Sequence, residues 1–230
     1  MRFDRIGKPL ALAAALALAP MLASAATVTL SQQTGDIFGS HGRARVNVTS
    51  LTAPNRSYNG TGGAFALAAS GGGYGNIVTF CVDLLQTLVL PDSFQTSPTP
   101  GTFPAARLAA LENLFETGFK HLNLASNTES AGFQLAVWEI AFESGSSYDL
   151  DSGNFKSNWS TATDAAAGFG KQLLAGLGGP ITQDYKLTFF LSPTRQDQVT
   201  VSEVPVPAAG LLLAGALGGL GLMARRRKAA

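Results

Sequence analysis

Apolar and polar positions alternate in several stretches of the chain's first half. Thr27 to Ser31 and Arg45 to Leu51 read as strands, as does a longer run from Asn76 to Leu90 carrying Ile77, Val78, Phe80, Val82, Leu88 and Val89. Gly60-Thr61-Gly62-Gly63 and Gly71-Gly72-Gly73-Tyr74-Gly75 punctuate these runs and predict turns. Neither is followed by the Gly-Lys-Ser/Thr of a phosphate-binding loop. The Pro- and Thr-rich stretch from Pro91 to Pro104 predicts a loop, with Pro104 at the first position of a helix.

The period then changes. Leu108, Leu111, Leu114 and Phe115 recur at helical spacing. Glu129 to Glu143 predicts a second helix, with Phe133, Val137, Ile140 and Ala141 on one face and Leu135, Trp138 and Phe142 on the adjoining one, so that it is buried nearly all round. Trp159 to Leu177 predicts a weaker third helix, because Gly168, Gly170 and Gly176 lower its propensity. Lys186 to Leu191 and Gln198 to Glu203 read as closing strands. The order of strands, helical insertion and strands predicts an α+β fold, a β-rich single ectodomain with a central helical insertion. Residues 26–203 suffice for one core.

Both ends read as addresses. Arg2, Arg5 and Lys8 precede an apolar run from Leu10 to Ala19, Pro20 breaks it, and Ala23-Ser24-Ala25 offers a small-residue cleavage site, so residues 1–25 read as a secretory signal peptide. That run is too short to cross a bilayer core of ~30 Å. At the other end Val204-Pro205-Val206-Pro207-Ala208 leads into a charge-free segment and then into Arg225-Arg226-Arg227-Lys228. Residues 208–224 are long enough for a short transmembrane helix, and the basic cluster as a membrane stop keeps that end cytoplasmic. Gly215 and Gly219 within it form a G-x-x-x-G pair, which either favours helix dimers or reflects the abundance of Gly in the segment. The tail 204–230 resembles the VPLPA-CTERM variant of the PEP-CTERM sorting signals, with Val206 where the family has Leu. The resemblance implies a Gram-negative host, an exosortase-type membrane protease as partner, transient anchoring in the inner membrane of the bacterial envelope, and a final place at the cell surface or outside the cell. In such a host four N-x-S/T matches, at Asn47, Asn55, Asn59 and Asn158, are chance.

Composition removes several classes. Three of the 16 basic residues lie in the first ten positions and four in the last six, leaving nine in the middle against 14 acidic residues, so nucleic-acid binding is not expected. One Cys rules out an intramolecular disulfide framework and a cysteine-rich zinc site. His41 and His121 read as lone surface histidines outside any G-x-S-x-G or H-E-x-x-H pattern, so no catalytic residues, metal or cofactor are assigned and the chain is read as a non-enzyme. Asp149, Asp151 and Asn154 offer oxygen ligands for calcium or form an ordinary acidic turn, and the spacing lacks the terminal Glu of an EF-hand loop.

The informative pair is Cys81 and Gln134. Phe80-Cys81-Val82-Asp83 falls on a predicted strand, and Phe133-Gln134-Leu135-Ala136-Val137-Trp138-Glu139 on the buried helix. The segment from about 80 to 143 resembles the thioester domains of bacterial surface adhesins, which pair an aromatic-Cys-[IV]-[DEN] segment with a later T-Q-x-A-[IVL]-W. Phe133 stands where those adhesins have Thr. The resemblance implies an internal thioester between the sulfur of Cys81 and the side-chain carbonyl of Gln134, able to capture amines on a target surface, with Phe80, Phe133 and Trp138 as apolar walls against water. The residues themselves allow a second account, a buried small hydrophobe and an amide bonded to nearby backbone. The expected function is therefore an exported surface adhesin. A structural surface or biofilm-matrix protein is the alternative, and a secreted hydrolase a distant third.

Overall fold

The computed structural model describes residues 25–204, except 53–54, 144, 158–163 and 181. The signal peptide assigned to 1–25 and the sorting tail 204–230 lie outside these residues apart from Ala25 and Val204. Among the described residues no helix is long and apolar enough to cross a membrane.

Six antiparallel strands close into a barrel in the order β1 (Thr27–Gln32), β4 (Phe65–Ser70), β5 (Gly75–Cys81), β9 (Gln198–Glu203), β8 (Tyr185–Leu191) and β6 (Asp92–Ser97). Pairing of β1 with β6, Thr27 opposite Gln95, completes the ring. A second sheet holds β3 (Asn55–Gly63), β2 (Arg43–Thr52) and the two-residue β7 (Phe155–Lys156). Helices α1 (Ala105–Gly118) and α2 (Asn127–Phe142) form the central insertion, and α3 (Asp164–Ala175) follows it. The fold is β-rich with three helices.

Strand alternation separates two cores. Val28, Leu30, Leu67, Ala69, Phe94 and Phe190 form a small cluster drawn from four barrel strands. Phe189, the neighbour of Phe190, turns to the opposite face and joins a larger cluster with Phe80, Leu111, Phe115, Phe133, Val137, Trp138 and Ile140. Helix α2 is the centre of that larger core, and every residue from Ser130 to Ala141 is buried. Ser126 caps the helix, its Oγ accepting from Glu129 N–H at 3.2 Å, while the Glu129 carboxylate accepts from Asn123 N–H at 2.8 Å. Gly170 of α3 and Gly132 of α2 let the two helices approach closely. A Cβ on Gly132 would lie 2.5 Å from the Ala166 carbonyl oxygen, and one on Gly170 2.9 Å from that of Gly132.

Four expectations need correction. The run from Asn76 to Leu90 is not one strand: β5 ends at Cys81, where the Asp83 carboxylate accepts from Leu85 N–H at 2.7 Å and turns the chain, leaving Leu85 and Val89 exposed. Gly60–Gly63 is not a turn but the end of β3, paired with Val46 to Arg43. Small residues are needed there for space, since a Cβ on Gly62 would sit 3.1 Å from Val46 and 3.5 Å from the Trp138 ring. The proline-rich loop contains β6, whose buried Phe94 and Thr96 alternate with exposed Gln95 and are fixed by pairing on both edges. Pro104 lies one residue ahead of its expected place. It is the extended N-cap of α1, and its carbonyl accepts from Arg107 and Leu108 N–H.

Candidate functional site

The site lies where a strand loses its neighbour. Strand β4 pairs with β5 as far as Phe65 opposite Thr79, and the register carried on would set Ala64 opposite Phe80 and then Gly63 opposite Cys81. Gly63 is already committed to β3, opposite Arg43. On that edge two buried stretches of backbone are thereby left without a strand partner, at Ala64 and at Cys81. Helix α2 supplies both partners from side chains one turn apart. Ser130 Oγ accepts from Ala64 N–H at 2.8 Å. Gln134 Oε1 accepts from Cys81 N–H at 2.9 Å, and Gln134 Nε2 donates to the Cys81 carbonyl at 2.8 Å. The carboxamide thus takes the place of a peptide group in the ladder, with Cys81 and Gln134 both fully buried.

The other edge of β5 pairs with β9, Phe80 opposite Val199 and Cys81 opposite Gln198, and Val82 N–H donates to the Asp197 carbonyl at 3.0 Å. The Cys81 thiol donates to the Asp83 carbonyl, Sγ to O 2.9 Å. Burial pushes this thiol far above its ordinary range, so at neutral pH it carries its proton. The strongest opposing influence is the indole of Trp138, which draws the thiol's pKa down. Yet Nε1 of Trp138 is buried and, among the described residues, has no aligned hydrogen-bond acceptor.

The aromatic residues expected to wall the pair divide between two sides. Side chains of Phe80 and Cys81 point to opposite faces of β5. Phe80 packs on Phe133 at 4.7 Å between ring centroids, and Phe115 closes on Phe133 at 5.0 Å, so Phe133 fills an aromatic cluster on the face away from the sulfur. Trp138 stands with the sulfur and meets Tyr58 edge-on at 5.7 Å. Beyond the Asp83 turn opens a cleft of about 480 Å3 lined in part by Val82, Asp83, Phe103, Arg107, Phe142 and Asp197. Burial raises the pKa of both carboxyls, with Asp197 reaching about 6 and Asp83 adding to that rise.

No family model matches the sequence, nor does any curated protein. Solved structures similar to the fold include two from Streptococcus pyogenes. One is the N-terminal domain of the pilus tip adhesin Cpa of Streptococcus pyogenes, 15% identical over 76% of this chain and 98% of that one, with a TM-score of 0.41. The other is the N-terminal thioester domain of the fibronectin-binding protein SfbI from Streptococcus pyogenes, 12% identical over 77% of this chain and 94% of that one, with a TM-score of 0.44. At that level of likeness no residue's role is carried across.

Some participants were not visible beforehand. Ser130 lies one turn before Gln134 and shares its task, and the only hint in the sequence is the four-residue spacing on a buried helix. Glu139 sits among apolar residues with Oε1 accepting from Asp149 N–H at 2.7 Å and Oε2 without a partner. Burial, with Glu143 and Asp149 adding negative charge nearby, pushes its pKa up to about 8. The oxygen-rich loop considered for calcium uses its groups internally. The Asp149 carboxylate accepts from Asp151 N–H and Ser152 Oγ, Asp151 pairs with Lys171 at 2.6 Å, and Asn154 N–H donates to Glu143. His121 is exposed, whereas His41 is only half-exposed.

Proposed function

We propose that this is an exported surface protein whose Cys81 and Gln134 form an internal thioester that captures primary amines on a target surface. The observation that carries the reading is the double hydrogen bond from the Gln134 carboxamide to the Cys81 backbone within an apolar core. It fixes the carboxamide against the residue that carries the sulfur, so that orientation replaces a bimolecular encounter. In thioester formation the sulfur of Cys81 attacks Cδ of Gln134, the C–N bond breaks, and ammonia leaves with the thiol proton. In capture an amine attacks the same carbon, the C–S bond breaks, the amine becomes an amide on residue 134, and the thiol regains a proton. Each site reacts once, so the protein is an adhesin and not an enzyme. The apolar surroundings slow competing hydrolysis, and the cleft beside Asp83 is the route by which an amine approaches.

Export and retention are assigned to the two ends of the chain. The signal peptide directs secretion, and the VPVPA segment, apolar helix and basic cluster hand the protein to an exosortase-type protease. A labelled primary amine tests the reading. Wild-type protein becomes labelled on residue 134, and neither Cys81→Ala nor Gln134→Ala does. Absence of label from freshly secreted wild-type protein, with Gln134 intact by peptide sequencing, contradicts it.

One observation favours a second reading. Both polar atoms of the Gln134 carboxamide are satisfied by Cys81 backbone groups, which suffices for a purely structural splint in a surface or matrix protein. The two readings separate on mass, because a splint keeps its nitrogen and a thioester loses it.

A further inference from the structure

Ser130, Gln134 and Trp138 are spaced four residues apart along α2, on one line of the helix surface. The first two hold the loose backbone of Ala64 and Cys81. The third shares the core cluster of Cys81 and brings to it a buried N–H donor that has no hydrogen-bond acceptor among the described residues. An orphaned buried donor is costly, and a smaller apolar ring would fill much of the same space without one. A neutral thiol is a poor acceptor, whereas a thiolate is a strong one. A donor idle in the resting state and engaged only as charge develops is the arrangement that lowers a barrier without stabilising the ground state.

We propose that the indole N–H of Trp138 is the hydrogen-bond donor to the Cys81 sulfur whenever that sulfur becomes anionic. This rests on the thioester reading for its chemistry. It acts twice, first as the thiol gives up its proton to attack Cδ of Gln134, and again as an incoming amine expels the sulfur from the thioester. The indole proton stays on Nε1 throughout, and the thiol proton leaves with ammonia in the first step and is regained from the amine in the second. The pull of the indole on the thiol, second only to burial, is in keeping with this role.

Trp138→Phe keeps an aromatic ring and removes the N–H. In wild-type protein that is lighter by one ammonia, methylamine opens the thioester and leaves a methylamide on residue 134, heavier than the unmodified sequence by one CH2. Folded Trp138→Phe should form or open its thioester about 10- to 100-fold more slowly, the range expected for one charge-assisted hydrogen bond. Wild-type rates in folded Trp138→Phe overturn the proposal and leave the thioester reading standing. A second measurement needs neither a folded Trp138 variant nor a thioester. In 15N-labelled Trp159→Phe protein, where Trp138 supplies the one indole N–H resonance, that resonance should shift on Cys81→Ala. An unmoved Trp138 resonance shows that the indole does not lie within reach of the sulfur and overturns the proposal. Full-mass wild-type protein with intact Gln134 contradicts the thioester reading instead and, with it, the catalytic role of Trp138, even if the resonance shift upholds the contact.

Discussion

Gln134 stands in for a β-strand at Cys81. Its carboxamide accepts from the Cys81 N–H at 2.9 Å and donates to the Cys81 carbonyl at 2.8 Å, in the position where Gly63 would pair had it not turned into the second sheet. The same clamp that splints the barrel's edge brings an amide to a cysteine. A stabilising role and a reactive one therefore coincide in one side chain, and each makes separate demands that substitutions can test.

Removing the clamp exposes the splint. Gln134→Ala leaves the buried N–H and C=O of Cys81 unpaired, each at about 1–3 kcal/mol, and opens a small cavity besides. A loss of roughly 2–5 kcal/mol in stability by urea unfolding is expected. Gln134→Glu should cost less, because a carboxyl oxygen still accepts from Cys81 N–H. Equal stability of wild type and Gln134→Ala would show that water or a backbone shift replaces the carboxamide without penalty.

Trp138 is an anchor of the larger core, 2% exposed and packed against Tyr58 with Gly62 leaving it room. Truncation by Trp138→Ala should destabilise the domain by about 3–5 kcal/mol. Trp138→Phe should cost clearly less. Free quenching of Trp138 fluorescence by acrylamide in folded Trp159→Phe protein would contradict the burial.

The sequence made some of this legible and hid the rest for physical reasons. The buried character of α2 was readable because apolar residues occupy more than one face, β8 because Leu187, Phe189, Phe190 and Leu191 make a short apolar run, and β9 because Val199 and Val201 alternate with polar residues. Strand β6 was hidden among prolines, since its alternation is carried by one Phe and one Thr and its pairing is wholly long-range. Gly60–Gly63 misled because glycine serves close packing there and not a reversal of the chain. At the site, Cys81 and Gln134 were nameable from their local motifs. No local pattern shows that a strand departs at Gly63, and that departure is what gives Gln134 its task.

Acid stability should carry the mark of Glu139. Its pKa is raised from 4.5 to about 8, so the folded state binds a proton that the unfolded state releases between those values. Its contribution to stability is present below about pH 4.5 and is lost as pH rises through about 8. Glu139→Gln keeps an acceptor for Asp149 N–H and turns the unpartnered oxygen into a donor beside Glu143 and Asp149. The variant should be more stable than wild type above pH 8, by about 1–3 kcal/mol, and show a flatter pH profile. Thermal unfolding from pH 4 to 9 measures it, and parallel profiles for the two proteins would place the titration elsewhere.

Sorting has its own test at the other end of the chain. In a host with a matching exosortase, mature protein should lack the residues beyond about Pro207, and replacement of Pro205 and Pro207 by Ala should leave a longer, membrane-retained form. C-terminal peptide mapping reads this directly. Mature protein still ending in Arg225 to Ala230 would make the tail an anchor only.

The central claim is a covalent bond between Cys81 and Gln134, and the intact mass of freshly purified mature protein tests it most directly. The account predicts a mass one ammonia below that of the processed sequence, converted by methylamine to the mass of an amide adduct on residue 134 with a free thiol at Cys81. A full mass, together with peptide sequencing that finds Gln and not Glu at position 134, contradicts the thioester and leaves the clamp as a structural splint.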